Sequence, residues 1–553
     1  MSIMVSPARR ADRTRSGRKR DRRNRIGRPR SRHLLNTAPT GRQGRKVNPP
    51  SFPDLPQVPG KRLTQIRRTA ISGFRPLRLS LAAGLLCLFA LTTSAATFTV
   101  NSSTDDIHDG VPGDGICETA KNNHICTLRA AIDEANALDG ADTIQLQANT
   151  TYVLSLTSTL AAGLSADLVI SDSVTITGAG PDSSIIDGNG MVTDRGVLVV
   201  GQCIRGIKDS LNCTYGNVTA SISSIAIEHG FAPTFGGGIV NDGILSLDHV
   251  RLSGNTAGGA QDTYGGAIFN SGALAITSSI ISNNNAGNAT GYGYGGAIYN
   301  QGPMTISGST ISDNGTLAGP DSHGYGGAIY SLGYGSSIVK STISGNLATA
   351  GGGIFHSGQP LWLINATISG NLSTGDGGGV YNSAGTLGLY NVTVTENQAN
   401  ADESGFEVGG GLYNDSEGTL TIANSIVAGN TRVIPTAPYP TLSPDECGGT
   451  ITSYAYNLMT GVDTSHCTIA GGVLSMKDPL LGPLQFNGGP TRTHALSAGS
   501  PAIDNGNQEG CVDPLGALLS DDQRGVHRPS GSRCDIGAFE WVDVIFRNGF
   551  QAP

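Results

Sequence analysis

Seven times between residues 236 and 430 the chain repeats glycines, an aliphatic residue, an aromatic or second aliphatic residue, and a polar residue. The phrase reads GGGIVN at 236–241, GGAIFN at 265–270, GGAIYN at 295–300, GGAIYS at 326–331, GGGIFH at 351–356, GGGVYN at 377–382 and GGGLYN at 409–414. A second phrase, an aliphatic residue followed three positions later by asparagine, alternates with it: Leu252/Asn255, Ile281/Asn284, Ile311/Asn314, Ile343/Asn346, Ile368/Asn371, Val394/Asn397 and Val427/Asn430. The first aliphatic positions lie 29, 30, 31, 25, 26 and 32 residues apart. A period of that size means a solenoid, a propeller or an array. Twenty-five residues are few for a four-stranded propeller blade. They suffice for one coil of a parallel β-helix, whose loops can vary in length.

Short alternating runs inside the repeats, such as 245–247, 274–276, 304–306 and 420–422, carry the strand signal. The abundant Gly, Ser and Thr are poor helix formers. The fold expected is all-β, a single-stranded right-handed parallel β-helix of about 11 coils and roughly 50 Å. Aliphatic residues would stack inward. Asn255, Asn284, Asn314, Asn346, Asn371, Asn397 and Asn430 would form a structural ladder of side-chain amides.

The charge is divided along the chain. Residues 1–78 hold 22 Lys and Arg against 3 acidic residues, and the remainder holds 14 against 40. The first segment, with few large apolar residues, is expected to be disordered. It reads either as a basic leader, including an over-long gene start, or as a nucleic-acid arm. Leu79–Leu91 has the length of a signal-peptide core and is followed by Ser94-Ala95-Ala96, which places cleavage after Ala96. Cys87 would suit a lipoprotein only poorly, because Leu86 before it is large. The reading is therefore an exported chain, secreted or at the outer cell surface, monomeric, with no nucleic-acid partner and no transmembrane helix in its mature part.

Eight cysteines remain beyond that point, in four close pairs: Cys117/Cys126, Cys203/Cys213, Cys447/Cys467 and Cys511/Cys534. An even count in an exported chain suggests disulfides, and local pairing is the simplest of 105 connectivities. A zinc site is the competing use, but no CxxC spacing occurs.

Residues 97–141 contain GDGIC at 113–117 and CTLRAA at 126–131, then helical spacing of Leu128, Ala131, Ile132 and Ala135 with Thr127 as N-cap. They resemble the CSLREA domain that precedes many bacterial β-helix proteins, departing from it at Thr127 and Ala130. The helix would cover the open end of the solenoid. Asp105, Asp106, Asp109, Asp114 and Glu118 crowd the same loop. They read as a calcium site or as solvated turn carboxylates. Residues 142–235 read as the first coils, with the loop at 201–216 projecting sideways.

The GGAI phrases at 265, 295 and 326 resemble polymorphic outer membrane protein repeats, whose FxxN phrase here has Leu, Ile or Val in place of Phe. That resemblance implies a surface-exposed, adhesin-like rod. The 123 residues after Asn430 lack the dozen alternating strands of a membrane barrel. Residues 431–541 include DPLLGPLQFNGGPTRTHALSAGSPAIDNGN, DDQRGVHRP and CDIGAFE. They resemble the choice-of-anchor Q domain of secreted β-helix proteins, here an irregular, disulfide-bearing C-terminal cap, with a tail at 542–553. Asp504, Asp522, Arg524, Arg528, Asp535 and Glu540 in this module are either a catalytic group or a salt-bridged cap.

Pectate lyases and polygalacturonases share the β-helix, so the fold leaves catalysis open. Between Glu228 and Asn430 the only Lys and Arg residues are Arg251 and Lys340. The acidic residues of that region show no recurrence at matching positions on adjacent coils. Glu228 and His229 are the nearest approach to a catalytic fragment for a polysaccharide lyase or glycoside hydrolase. Tyr264, Tyr292, Tyr294, Tyr325 and Tyr334 lie in successive glycine-rich loops. They would either stack against a bound glycan or pack the loops together. The expectation is a structural, adhesin-like or glycan-binding rod.

Overall fold

The computed structural model describes residues 95–542 apart from 106–107, 157–165, 191–195, 202, 205–211, 214–217, 260, 288–290, 317–322, 404, 437–438 and 473–475. The described residues form a right-handed parallel β-helix. Through the repeats the coils pass through a first and a second parallel sheet and, from Phe231 onward, through short third-side sheets. The first sheet has 19 strands and the second has 11, running in chain order from Thr150–Val153 to Leu458–Met459. At the usual inter-strand spacing the second sheet is about 50 Å long.

The repeats stack in register. Ile239 lies beside Ile268, then Ile298, Ile329, Ile354, Val380, Leu412 and Cys447. On the second sheet Ile227, Leu252, Ile281, Ile311, Ile343, Ile368, Val394, Val427 and Met459 form an equally buried column. Side chains alternate between faces along a strand, so each aliphatic position enters the tube while its neighbours point out. The glycine phrase has a steric origin. Gly265 has φ +68, and a Cβ on Gly266 would lie 2.2 Å from the Gly296 carbonyl oxygen of the next coil.

One residue in the left-handed region follows each strand of the second sheet through most of the stack, as at His229, Asn283, Asp313 and Glu396. From Asn255 onward the next residue is the repeat asparagine, whereas His229 is followed by Gly230. Asn284 Oδ1 accepts both the backbone N–H of Asn255 at 2.9 Å and its Nδ2 at 3.0 Å. The same amide-to-amide bond links Asn284 to Asn314, Asn346, Asn371, Asn397 and Asn430 in turn. Nδ2 also donates to a carbonyl of the preceding coil, so these buried amides are satisfied at both ends. After Asn430 the acceptor is Glu446, whose carboxylate takes the amide at 2.6 Å.

A second ladder runs along the first sheet from Asn241 to Asn270 to Asn300, and again from Asn382 to Asn414. Between them stand Ser331 and His356, both fully buried. Neither ring nitrogen of His356 makes a well-formed hydrogen bond. Burial, partly offset by the backbone of Ser331 and Thr386, pushes its pKa down to about 4.

The helix Leu128–Ala137 starts where the Thr127 side chain accepts the Ala130 N–H. Its Leu128, Ala131, Ile132 and Ala135 join Phe98, Val100 and Ile144 in the core of the first coils. Disulfides join Cys117 to Cys126, Cys447 to Cys467 and Cys511 to Cys534. The backbones of Cys203 and Cys213 face each other in an antiparallel pair, and their side chains lie outside the described residues.

The C-terminal segment is irregular and lies along the flank. Beginning beside Lys340, it crosses five successive strands of the second sheet. Thr491 and Arg492 meet Lys340 and Thr342, Gln523 meets Thr367, and His494 meets Ser369. Ala538 donates to Thr393. Val512, Cys511 and Asp535 receive the amides of Asn391 and Asn424. Ile426 and Leu458 pack on Leu496, Ala502, Ile536 and Phe539.

Candidate functional site

The second sheet presents two outward columns. One runs Ile185, Ala226, Arg251, Ile280, Thr310, Thr342, Thr367, Thr393. The other runs Asp187, Glu228, Ser253, Ser282, Ser312, Ser344, Ser369, Thr395. From Thr342 onward the first column is buried under the C-terminal segment, a lateral clasp. The clasp reaches its limit near Gly308, where Pro490 approaches, and where Lys340 pairs with Asp521 at 3.0 Å. The strands from Ser184–Asp187 to Thr310–Ser312 carry no clasp contact among the described residues. Ile280 there is 49% exposed. The hydroxyls of Ser282, Thr310 and Ser312 have no hydrogen-bond partner among the described residues.

On this open face the structure brings together residues that the sequence reading kept apart. Asp187 and Glu228 are register partners on adjacent strands. Asp187 precedes the stretch 228–430 to which the expectation of no matching carboxylates applied, so this pairing adds to that expectation and does not overturn it. The spacing was hidden because the two positions are separated by the long insert at 201–216, which breaks the repeat period. Glu228 accepts from Arg251 Nε at 2.8 Å and from Ser253 Oγ at 3.0 Å. The other side of the guanidinium contacts Asp182. Burial works against the Arg251 charge, but the bonds to Asp182 and Glu228 outweigh it and raise its pKa. His229, the left-handed residue after Glu228, places Nδ1 3.2 Å from Asp187 Oδ1. His249 Nδ1 lies 2.9 Å from Asp248 on the next coil. Asp313 is exposed further along.

The remaining sequence candidates are placed elsewhere. Asp105 is buried against Arg129 Nε at 2.8 Å and accepts the N–H groups of Ser155 and Leu156. Asp109 accepts the N–H groups of Val111 and Glu118, and its burial raises its pKa. Asp114 accepts from Ile116, and Glu118 from Asn122. Asp106 lies outside the described residues. The glycines of that loop point their amides at Glu134, with Gly113 N 2.6 Å from Oε2. No cluster of three or more His, Cys, Asp or Glu that could hold a metal occurs among the described residues.

Of the tyrosines, Tyr294 and Tyr325 are buried. With Phe235 and Tyr264 they form a stacked column at 5.1–5.5 Å between ring centroids. That column interlocks edge-to-face with a second one, Phe269, Tyr299, Tyr330, Phe355, Tyr381 and Tyr413, on the outside of the first sheet. Desolvation pushes the Tyr325 pKa up to about 12. These rings pack loops onto the sheet and offer no face to a sugar, whereas Tyr292 and Tyr334 are exposed.

The C-terminal charges form a closed network. Arg524 pairs with Asp522 at 2.7 Å and lies 3.5 Å over the Phe539 ring. Fully buried Arg528 faces Glu540 at 3.7 Å. Asp504, Asp522, Asp535 and Glu540 each accept backbone N–H groups. Desolvation and the neighbouring Glu540 push the Asp535 pKa to about 7. These groups brace the clasp.

No family model and no curated protein matches the chain. Among solved structures, the pectate lyase Pel9A is similar at TM-score 0.33 and 14% identity, over 81% of this chain and 98% of that one. The A-module of the Azotobacter vinelandii mannuronan C-5 epimerase AlgE4 is similar at TM-score 0.30 and 15% identity, over 67% and 94%. Tailspike protein 3 of bacteriophage CBA120 is similar at TM-score 0.26 and 13% identity, over 62% and 57%.

Proposed function

We propose that the protein is an exported glycan-binding rod and that the open half of the second sheet is its binding face. One observation carries this reading: the same two columns of outward residues hydrogen-bond the C-terminal segment over half their length and, among the described residues, carry no such contact over the other half. Thr342, Thr367 and Ser369 bond the clasp through their hydroxyls. Thr310, Ser282 and Ser312 occupy the equivalent positions on the open coils. A polysaccharide is the extended polymer whose hydroxyls match that pattern, with exposed Ile280 as an apolar surface for a sugar ring.

Export is part of the proposal. It rests on the apolar run at 79–91 with its small-residue site, and three disulfides fit an oxidising compartment. No helix among the described residues is long and apolar enough to cross a membrane. The resemblances to the CSLREA and choice-of-anchor Q domains and to polymorphic outer membrane protein repeats belong to the same reading.

The test is retention on a panel of immobilised polysaccharides. Ser312→Tyr on the open face should abolish retention, while Thr305→Tyr on the exposed side of the first sheet should leave it unchanged. Equal behaviour of the two variants would refute the assignment of the face. A second reading, cleavage of the bound glycan, is favoured by one arrangement: two carboxylates on adjacent strands, as hydrolysis requires. Mass spectrometry of the bound polymer decides it. Shortened products that vanish in Glu228→Gln would establish an enzyme.

A further inference from the structure

The charge on the open face goes further and names a class of ligand, resting on the glycan-binding reading above. The face and its edges carry Asp182, Asp187, Glu228, Asp248 and Asp313. Arg251 is the one Lys or Arg among the outward residues of these open strands, and Asp182 and Glu228 already hold it. Two histidines, His229 and His249, accompany Asp187 and Asp248.

The covered half shows how this sheet selects its occupant. There Lys340 faces outward and receives Asp521 of the clasp, so charge of opposite sign is matched across the face. The open coils reverse the sign. A chain of uronates laid along them would bring carboxylates against carboxylates with no free guanidinium or ammonium among the described residues of these strands to receive them. A polymer bearing ammonium groups finds acceptors on neighbouring strands, about 5 Å apart. Unlike charges brought together at a largely uncovered surface steer and orient a ligand, and salt screens the effect.

We propose that the open face binds a cationic amino-polysaccharide of the glucosamine type and rejects polyuronates. The experiment compares a glucosamine oligomer, a glucose oligomer and a galacturonate oligomer of equal length, titrated into the full chain at pH 6 in low and high salt. The expected result is tightest binding to the glucosamine oligomer. Its affinity should fall about ten-fold or more as salt rises through the screening range. Asp187→Asn with Asp313→Asn should weaken it by a similar factor, and Ser282→Asp with Ser312→Asp should tighten it. The second pair adds charge at exposed positions, so it reads out even if the first pair perturbs folding. Equal binding of the glucose oligomer, or preference for galacturonate, would overturn the charge assignment while leaving glycan binding in place. Binding of none of the three would overturn both.

Discussion

The two halves of the second sheet have the same backbone, the same inward column and opposite surroundings. In the covered half the outward positions are Thr342, Thr367, Thr393 and Ile426, all buried, and each has a defined contact on the clasp. In the open half the equivalent positions are Arg251, Ile280 and Thr310, flanked by Asp187, Glu228, Ser282 and Ser312. The inward residues are interchangeable between halves and the outward ones are not. The stack therefore follows from one face of each strand, and the surroundings from the other. A parallel sheet exposed on one face is less usual than one covered on both, and the open half shares that exposure with part of the first sheet, where Ile244 and Thr305 face outward.

The sharpest way to break the contrast is to remove the clasp. A chain ending at Lys477 would expose Ile426 and Leu458 and leave the amides of Asn391 and Asn424 with each other but without their acceptors on the clasp. Hydrogen exchange should then show the covered strands losing protection while the strands from Ser184–Asp187 to Thr310–Ser312 keep theirs. Equal loss in both would mean that the halves do not differ in what holds them.

Within the clasp, Arg528→Ala leaves the Asp535 and Glu540 carboxylates buried without their cation. It should cost about 3–5 kcal/mol in a denaturant melt. The ladder is common to both halves. Asn346→Ala leaves buried amide and carbonyl groups unsatisfied and should cost about 1–3 kcal/mol. The matching change on the open face, Arg251→Ala, removes a half-exposed pair and should cost no more than about 1 kcal/mol.

Acidity separates the regions as well. Burial holds the Glu446 pKa at about 7, above its ordinary 4.5, against the lowering effect of the bonds from Asn430, Thr460 and Gly429. A carboxyl raised by folding favours the folded state below 4.5, and that contribution is lost as pH rises to 7. Asp535 acts in the same direction. His356 acts oppositely, because a base whose pKa is lowered by folding disfavours the folded state as pH falls through 6.5 towards 4. Glu446→Gln should flatten the decline in melting temperature between pH 5 and pH 8. An unchanged slope would remove Glu446 from its cause.

Much of this was legible in the chain because each coil repeats the same physical demands. A glycine pair is required where a Cβ would meet a neighbouring carbonyl, and an asparagine where a buried turn needs both a donor and an acceptor. Contacts without a period were not legible. The union of Asp187 with Glu228 depends on strand register across an insert. The course of the clasp depends on pairs such as Thr342 with Arg492, 150 residues apart. The burial of Tyr294 and Tyr325 depends on which loop folds onto which sheet. Composition marked the tyrosines as a stripe, and only their neighbours distinguish a stacked interior from an exposed platform.

The asparagine ladder has a direction. Every amide hands one hydrogen to the next asparagine toward the C-terminal end and the other to a carbonyl of the coil before, so each coil offers its neighbours the same donors and the same acceptor. A coil inserted anywhere in the run inherits both partners, and one deleted leaves none stranded. Rod length is thus free to change by whole repeats in evolution, as links are added to a chain. Glu446, which accepts and passes nothing on, ends the series. New coils belong between the helix that closes one end and the carboxylate that closes the other, and the reach of the protein is a number of copies.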